Sequence, residues 1–138
     1  MLQKIKFIPD IFKTGYFASG WIPPHPTFFV RREVYEKFGT FDLNFKFAAD
    51  VELMMRLLEL HKISVTYIQK PIVMMRLGGI TNSSFINILL QNIEIIRCFK
   101  KHDLKVNVTL FLIKKIFDRC NQYIKAKKLK QIKSKILN

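Results

Sequence analysis

Two charged residues interrupt an otherwise apolar run. In Phe47-Ala48-Ala49-Asp50-Val51-Glu52-Leu53-Met54-Met55-Arg56-Leu57, Asp50 follows two alanines and Arg56 lies six residues further on. A helix beginning here puts Asp50 in its first turn, where the dipole and the free backbone N–H groups keep a carboxylate ionised. Flanked by alanines, that carboxylate is sterically open to a hydroxyl and suits a general base. The same position suits a plain N-terminal capping acid, and residue type alone leaves both roles open. Asp50-x-Glu52 has the look of a metal-holding acidic pair. Residues two apart on a helix point to different faces, so the pair is rejected as a metal site.

His25 sits in Gly20-Trp21-Ile22-Pro23-Pro24-His25-Pro26, where three prolines fix the backbone around one imidazole. It could bind a metal, touch a phosphate or hydrogen-bond an acceptor. With no second His, Cys or carboxylate at ligand spacing, a structural histidine is the competing role. Arg76, ahead of Gly78-Gly79, could offer a guanidinium and backbone N–H groups to a departing diphosphate, or could simply be a solvated strand end. The chain has no P-loop, no Gly-x-Gly-x-x-Gly fingerprint and no nucleophile elbow.

The elements that must carry these residues follow from periodicity. Ile5 to Ser19 reads as irregular, with a short helix around Pro9 to Lys13. Thr27-Phe28-Phe29-Val30 is a run of strand formers, and Arg31 to Phe38 then has helical spacing before Gly39. Phe47 to His61 is apolar on nearly every side, the pattern of a buried helix. Ile63, Val65 and Tyr67 alternate with Ser64 and Thr66, and Ile72 to Met75 is a second apolar run, predicting two short strands or one bent strand. After a loop at Arg76 to Gly79, a helix should start near Asn82-Ser83-Ser84 and run to about Lys101, with Phe85, Leu89, Asn92, Ile96 and Phe99 on one face. Another should start near Asn107, with Leu110, Ile113, Phe117, Cys120 and Ile124 marking one apolar face. The tail reads as an amphipathic basic helix. The order is an α/β part over residues 1–81 followed by a basic helical extension over residues 82–138.

At 138 residues, 49% hydrophobic and with 13 Phe, the chain can bury a core and is neither disordered nor repetitive. Cys98 and Cys120 are far apart and form no Cys-x-x-Cys, so neither a zinc knuckle nor a disulfide framework is indicated, and both read as reduced core thiols. Lys4, Lys6, Pro9 and Asp10 break any leader-like run at the start. A spanning helix needs about 20 mostly apolar residues, and Lys114 and Lys115 cut the best stretch short. The net charge of +14 is concentrated from Arg97 onward. Such a field attracts polyanions of any kind, so nucleic acid, an anionic membrane surface and acidic protein all suit it as partners. The basic residues lack aromatic interleaving, which argues against specific nucleic-acid binding.

Three fragments in order, His25-Pro26-Thr27-Phe28-Phe29-Val30-Arg31-Arg32-Glu33-Val34-Tyr35-Glu36-Lys37-Phe38-Gly39-Thr40-Phe41-Asp42, then Phe47 to Leu57, then Arg76-Leu77-Gly78-Gly79-Ile80-Thr81, resemble the C-terminal, acceptor-side half of bacterial family 2 glycosyltransferases. The resemblance spans about Ile22 to Thr81. It implies a partial A-type glycosyltransferase fold and inverting transfer from a nucleotide-diphosphate sugar to a cell-surface polysaccharide or lipid-linked acceptor. Asp50 matches the family's catalytic base, with Ala49 standing where many members carry Glu. His25 matches the histidine opening the acceptor-side strand, and Arg76, Gly78 and Gly79 match the loop over the active site.

The family's other half supplies the nucleotide-binding sheet and the Asp-x-Asp motif that holds Mg²⁺ or Mn²⁺, and nothing before Ile22 provides either. The expectation is a truncated or split enzyme, inactive alone, whose companion chain brings the donor site. Its exposed apolar surface and strand edge would favour self-association. The expected location is cytoplasmic, peripheral on the inner face of the membrane through the basic tail. A module that binds membranes or polyanions without catalysis is the alternative.

Overall fold

The structure is a computed structural model that describes residues 12–70, 73, 85–117 and 121. The described elements are short 3-10 turns at Phe17–Ser19 and His25–Thr27, helix α1 (Arg32–Phe38), helix α2 (Ala49–Met55), a π-helical turn at Arg56–Leu60, helix α3 (Phe85–Lys101), and helix α4 over residues 108–117.

The α/β expectation is overturned, because among the described residues there is no strand. Residues 28–31 are extended in part, with Phe28 at φ −95° and ψ 98° and Arg31 at φ −68° and ψ 147°. Neither they nor residues 62–69 pair with another extended segment among the described residues. A strand exists only through its ladder partner, and β-forming side chains without one remain coil. Phe29, Val65 and Ile68 accordingly stand exposed. Among the described residues the A-type sheet is therefore not formed. Of the second predicted strand, only Val73 is described, and it belongs to no element. Arg76, Gly78, Gly79, Cys120 and the basic tail lie outside the described residues, as does most of the Pro9 to Lys13 helix.

The helices fare better. α1 has Glu33 in its first turn and Lys37 in its last, each matched to the dipole end it sits on. It stops at Gly39, whose φ of 84° is left-handed backbone that a side chain would strain. α2 is the centre of the core, and its Val51, Leu53, Met54 and Met55 are all buried. Just past it the π turn buries Leu57 and Leu58. Around them pack Phe17, Phe45, Ala48, Ile95, Cys98, Phe99 and Phe111, with the Phe99 and Phe111 rings edge to face at 5.9 Å.

α3 buries Glu94, Ile95, Cys98 and Phe99. That face is rotated from the one predicted, and Leu89 is outside it, half exposed. α3 closes at Asp103, whose φ of 51° supplies the left-handed cap that glycine usually provides, while the Leu104 N–H donates back to the Phe99 carbonyl at 2.9 Å. Asn107 caps α4 through its side chain, accepting from the Leu110 N–H at 3.0 Å. Phe111 and Leu112 are the core-facing residues of α4, whereas the predicted Leu110, Ile113 and Phe117 are exposed. A helix with apolar residues on two sides does not reveal from sequence which side its neighbours will cover.

Candidate functional site

α2 begins without a capping side chain of its own, since Ala48 occupies the cap position. Glu94 of α3 takes over that role from a distance. Its carboxylate accepts the backbone N–H groups of Lys46 at 3.1 Å, Phe47 at 2.7 Å and Ala48 at 2.9 Å. Gln91 adds a bond from its side-chain nitrogen to the Phe47 carbonyl at 3.3 Å. The approach to α2 is thus held by one buried carboxylate, which places Asp50 in the first turn of the helix, as the sequence predicted. Asp50 is half-buried, and its Oδ1 accepts the Val51 N–H at 2.8 Å. Its other carboxylate oxygen has no hydrogen-bond partner among the described residues.

His25 lies in its 3-10 turn, exposed, with its ring edge-on to Phe41 at 6.4 Å. The Thr27 hydroxyl, donating to the Pro24 carbonyl at 2.8 Å, ties that turn down. No hydrogen bond or ion pair joins His25 to Asp50 among the described residues. Arg76, Gly78 and Gly79 cannot be placed against either residue, since they lie outside the described residues.

Two residues past Asp50, on another side of the helix, Glu52 is wholly buried. Its Oε1 accepts from Arg56 Nε at 3.0 Å and lies 2.7 Å from His102 Nε2, while Arg56 Nη2 approaches Oε2 at 3.3 Å. Lys101 Nζ stands 3.8 Å away and also pairs with Asp42. Arg56 reaches further, donating to the Phe38 carbonyl and, at 2.6 Å, to the Thr40 carbonyl. Glu52 and Arg56 therefore join the end of α1, the middle of α2 and the end of α3, leaving neither group open to a substrate. Arg56, noted in the sequence as one of two charges in an apolar run, acts here as a clamp between these elements.

Lys101 beside Asp42, with the Asn44 backbone N–H also donating to it, lowers the Asp42 carboxyl to about 2. Burial pushes the Cys98 thiol up to about 12, so it stays protonated and inert at neutral pH. Among the described residues no three His, Cys, Asp or Glu side chains converge as a metal would require, and Glu52 is already saturated by cations. Among the described residues the donor set does not fit Mg²⁺ or Mn²⁺. A shallow depression of about 320 Å³ between α3 and α4 is lined by Phe99, Lys100, Asp103 and Leu104 among others, and neither Asp50 nor His25 reaches it.

Sequence reading passed over Glu59, Glu94 and His102. Glu59, buried in the π turn, accepts the Gly15 N–H on both oxygens at 2.9 Å. The signal that drew attention to Asp50, a charge enclosed by apolar neighbours, was equally present in Ile93-Glu94-Ile95.

Fold and site together define a small helical unit organised around buried carboxylates, with one accessible aspartate at a helix start. No family model, curated protein or solved structure matches the chain. Among the described residues no helix is long and apolar enough to cross a membrane.

Proposed function

We propose that this chain supplies the acceptor side of an inverting glycosyltransferase, with Asp50 as the base that takes the proton from the acceptor hydroxyl. The nucleotide-sugar site then lies in a segment outside this sequence, either joined to it or on a companion chain. The observation that carries the reading is the state of Asp50. It stands half-buried at the start of α2, one oxygen held by a backbone N–H and the other without a partner among the described residues, on a segment fixed by Glu94. A fixed carboxylate with a free oxygen is what proton abstraction needs. The motif order from His25 through Asp50 supports the class of reaction, and the reading rests on these residues rather than on an A-type sheet.

In the reaction, the acceptor oxygen bonds to the anomeric carbon as the bond to the nucleoside diphosphate breaks, and Asp50 receives the hydroxyl proton. His25, exposed beside Phe41, is the residue this reading assigns to contact with the acceptor.

Two measurements test this. Calorimetric titration of UDP and UDP-sugars with Mn²⁺ into the purified chain should give no metal-dependent heat; clear binding would mean that the chain holds a donor site of its own. When a donor-side partner restores transfer, Asp50→Asn should lower the rate by about 10²–10⁴-fold. Full activity of that variant would remove Asp50 from the chemistry.

A further inference from the structure

α3 carries a second pattern, on the side turned away from the core. Leu89, Leu90 and Ile93 are 51%, 38% and 47% exposed, and Arg97 and Lys100 are exposed as well. Spacings of one, four, eight and eleven residues from Leu89 keep all five within one helical face. That face is apolar toward its N-terminal end and cationic toward its C-terminal end. α4 repeats the arrangement, with Leu110, Ile113 and Phe117 exposed and Lys114 exposed among them.

We propose that the outward face of α3 is a docking surface for an anionic lipid bilayer, on which the helix lies flat in the interface. The surface is independent of any role of Asp50. Charge decides the occupant. A second copy of this chain, at +14, would bring its own Arg97 and Lys100 toward these, at a Coulombic cost. Nucleic acid would satisfy the cations and leave the leucines in water. An anionic bilayer interface accepts both halves, with acyl chains meeting Leu89, Leu90 and Ile93 and headgroups meeting Arg97 and Lys100. Lys101 has no part in it, because it is paired with Asp42.

The test is flotation of the full chain with vesicles of phosphatidylcholine alone and of an equimolar phosphatidylcholine–phosphatidylglycerol mixture. The chain should float with the anionic vesicles only, and less so as salt rises. Leu89→Gln with Ile93→Gln should weaken this binding by roughly tenfold or more. Lys100→Gln should weaken it by roughly fivefold. Because Lys100 is exposed, that variant keeps the test valid even if the double variant folds poorly. The proposal fails if the chain floats with neither vesicle, or if the Leu89 and Ile93 variant floats as the native chain does, which would assign binding to charge elsewhere. It also fails if those two substitutions only dissociate a dimer, or if an acidic protein rather than lipid is held at this face.

Discussion

Removing the Glu52 carboxylate would leave Arg56 without its counter-charge and His102 Nε2 without its hydrogen-bond partner, their side chains 13% and 6% exposed. Breaking a buried ion pair from one side costs about 3–5 kcal/mol, so Glu52→Ala should lower the urea-unfolding free energy by that order. Asp42 should behave differently, since its effect depends on pH. Its carboxyl falls from an ordinary value of 3.8 to about 2, so its contribution is complete above the unfolded value and is lost as pH drops from about 3.8 to about 2. Thermal unfolding of native protein and Asp42→Asn should differ at neutral pH and converge near pH 2. The place of Asp50 in the first turn of α2 was legible at this scale because its clue was local, an acid after two alanines. The Glu52–His102 contact was not, because fifty residues separate the partners and no property of either names the other.

Helices α1, α2 and α3 were readable because a 3.6-residue period and a terminal glycine are local signals, and Gly39 ended α1 where expected. The strands were misread for the complementary reason. Thr27 to Val30 and Ile63 to Tyr67 have β-forming side chains, but a ladder needs a second segment, which no stretch of sequence reports about itself. Helical faces were also misassigned in α4, where Phe111 rather than Leu110 points inward. The junction between α2 and α3 depends on Glu94, whose loss frees three backbone donors at once. Glu94→Ala should destabilise by about 1–3 kcal/mol and should speed amide exchange at Lys46, Phe47 and Ala48 more than at the middle of α3. An unchanged exchange rate at those three amides would mean that the contact is dispensable.

Over the whole molecule, a charge of +14 opposes association while Phe29, Leu43, Ile68 and the outer face of α4 favour it. Salt screens the first and leaves the second intact, with the screening length shrinking from about 30 Å at 0.01 M to about 8 Å at 0.15 M. Sedimentation velocity should therefore show larger species as ionic strength rises; the reverse trend would mean that ion pairs, not apolar faces, join the copies. Composition announced this balance, but not where the apolar residues would surface, since that depends on which helix faces meet. Near the start of the described chain, the bond between Gly15 and Glu59 anchors a cluster in which Trp21 lies 5.4 Å from the Tyr16 ring, 6.3 Å from Phe12 and 6.4 Å from Phe17. Trp21 is the chain's sole tryptophan. The protein thus carries its own optical reporter. Light absorbed by Tyr16 passes to one emitter whose colour registers whether this N-terminal strap is seated, while circular dichroism follows the helices separately.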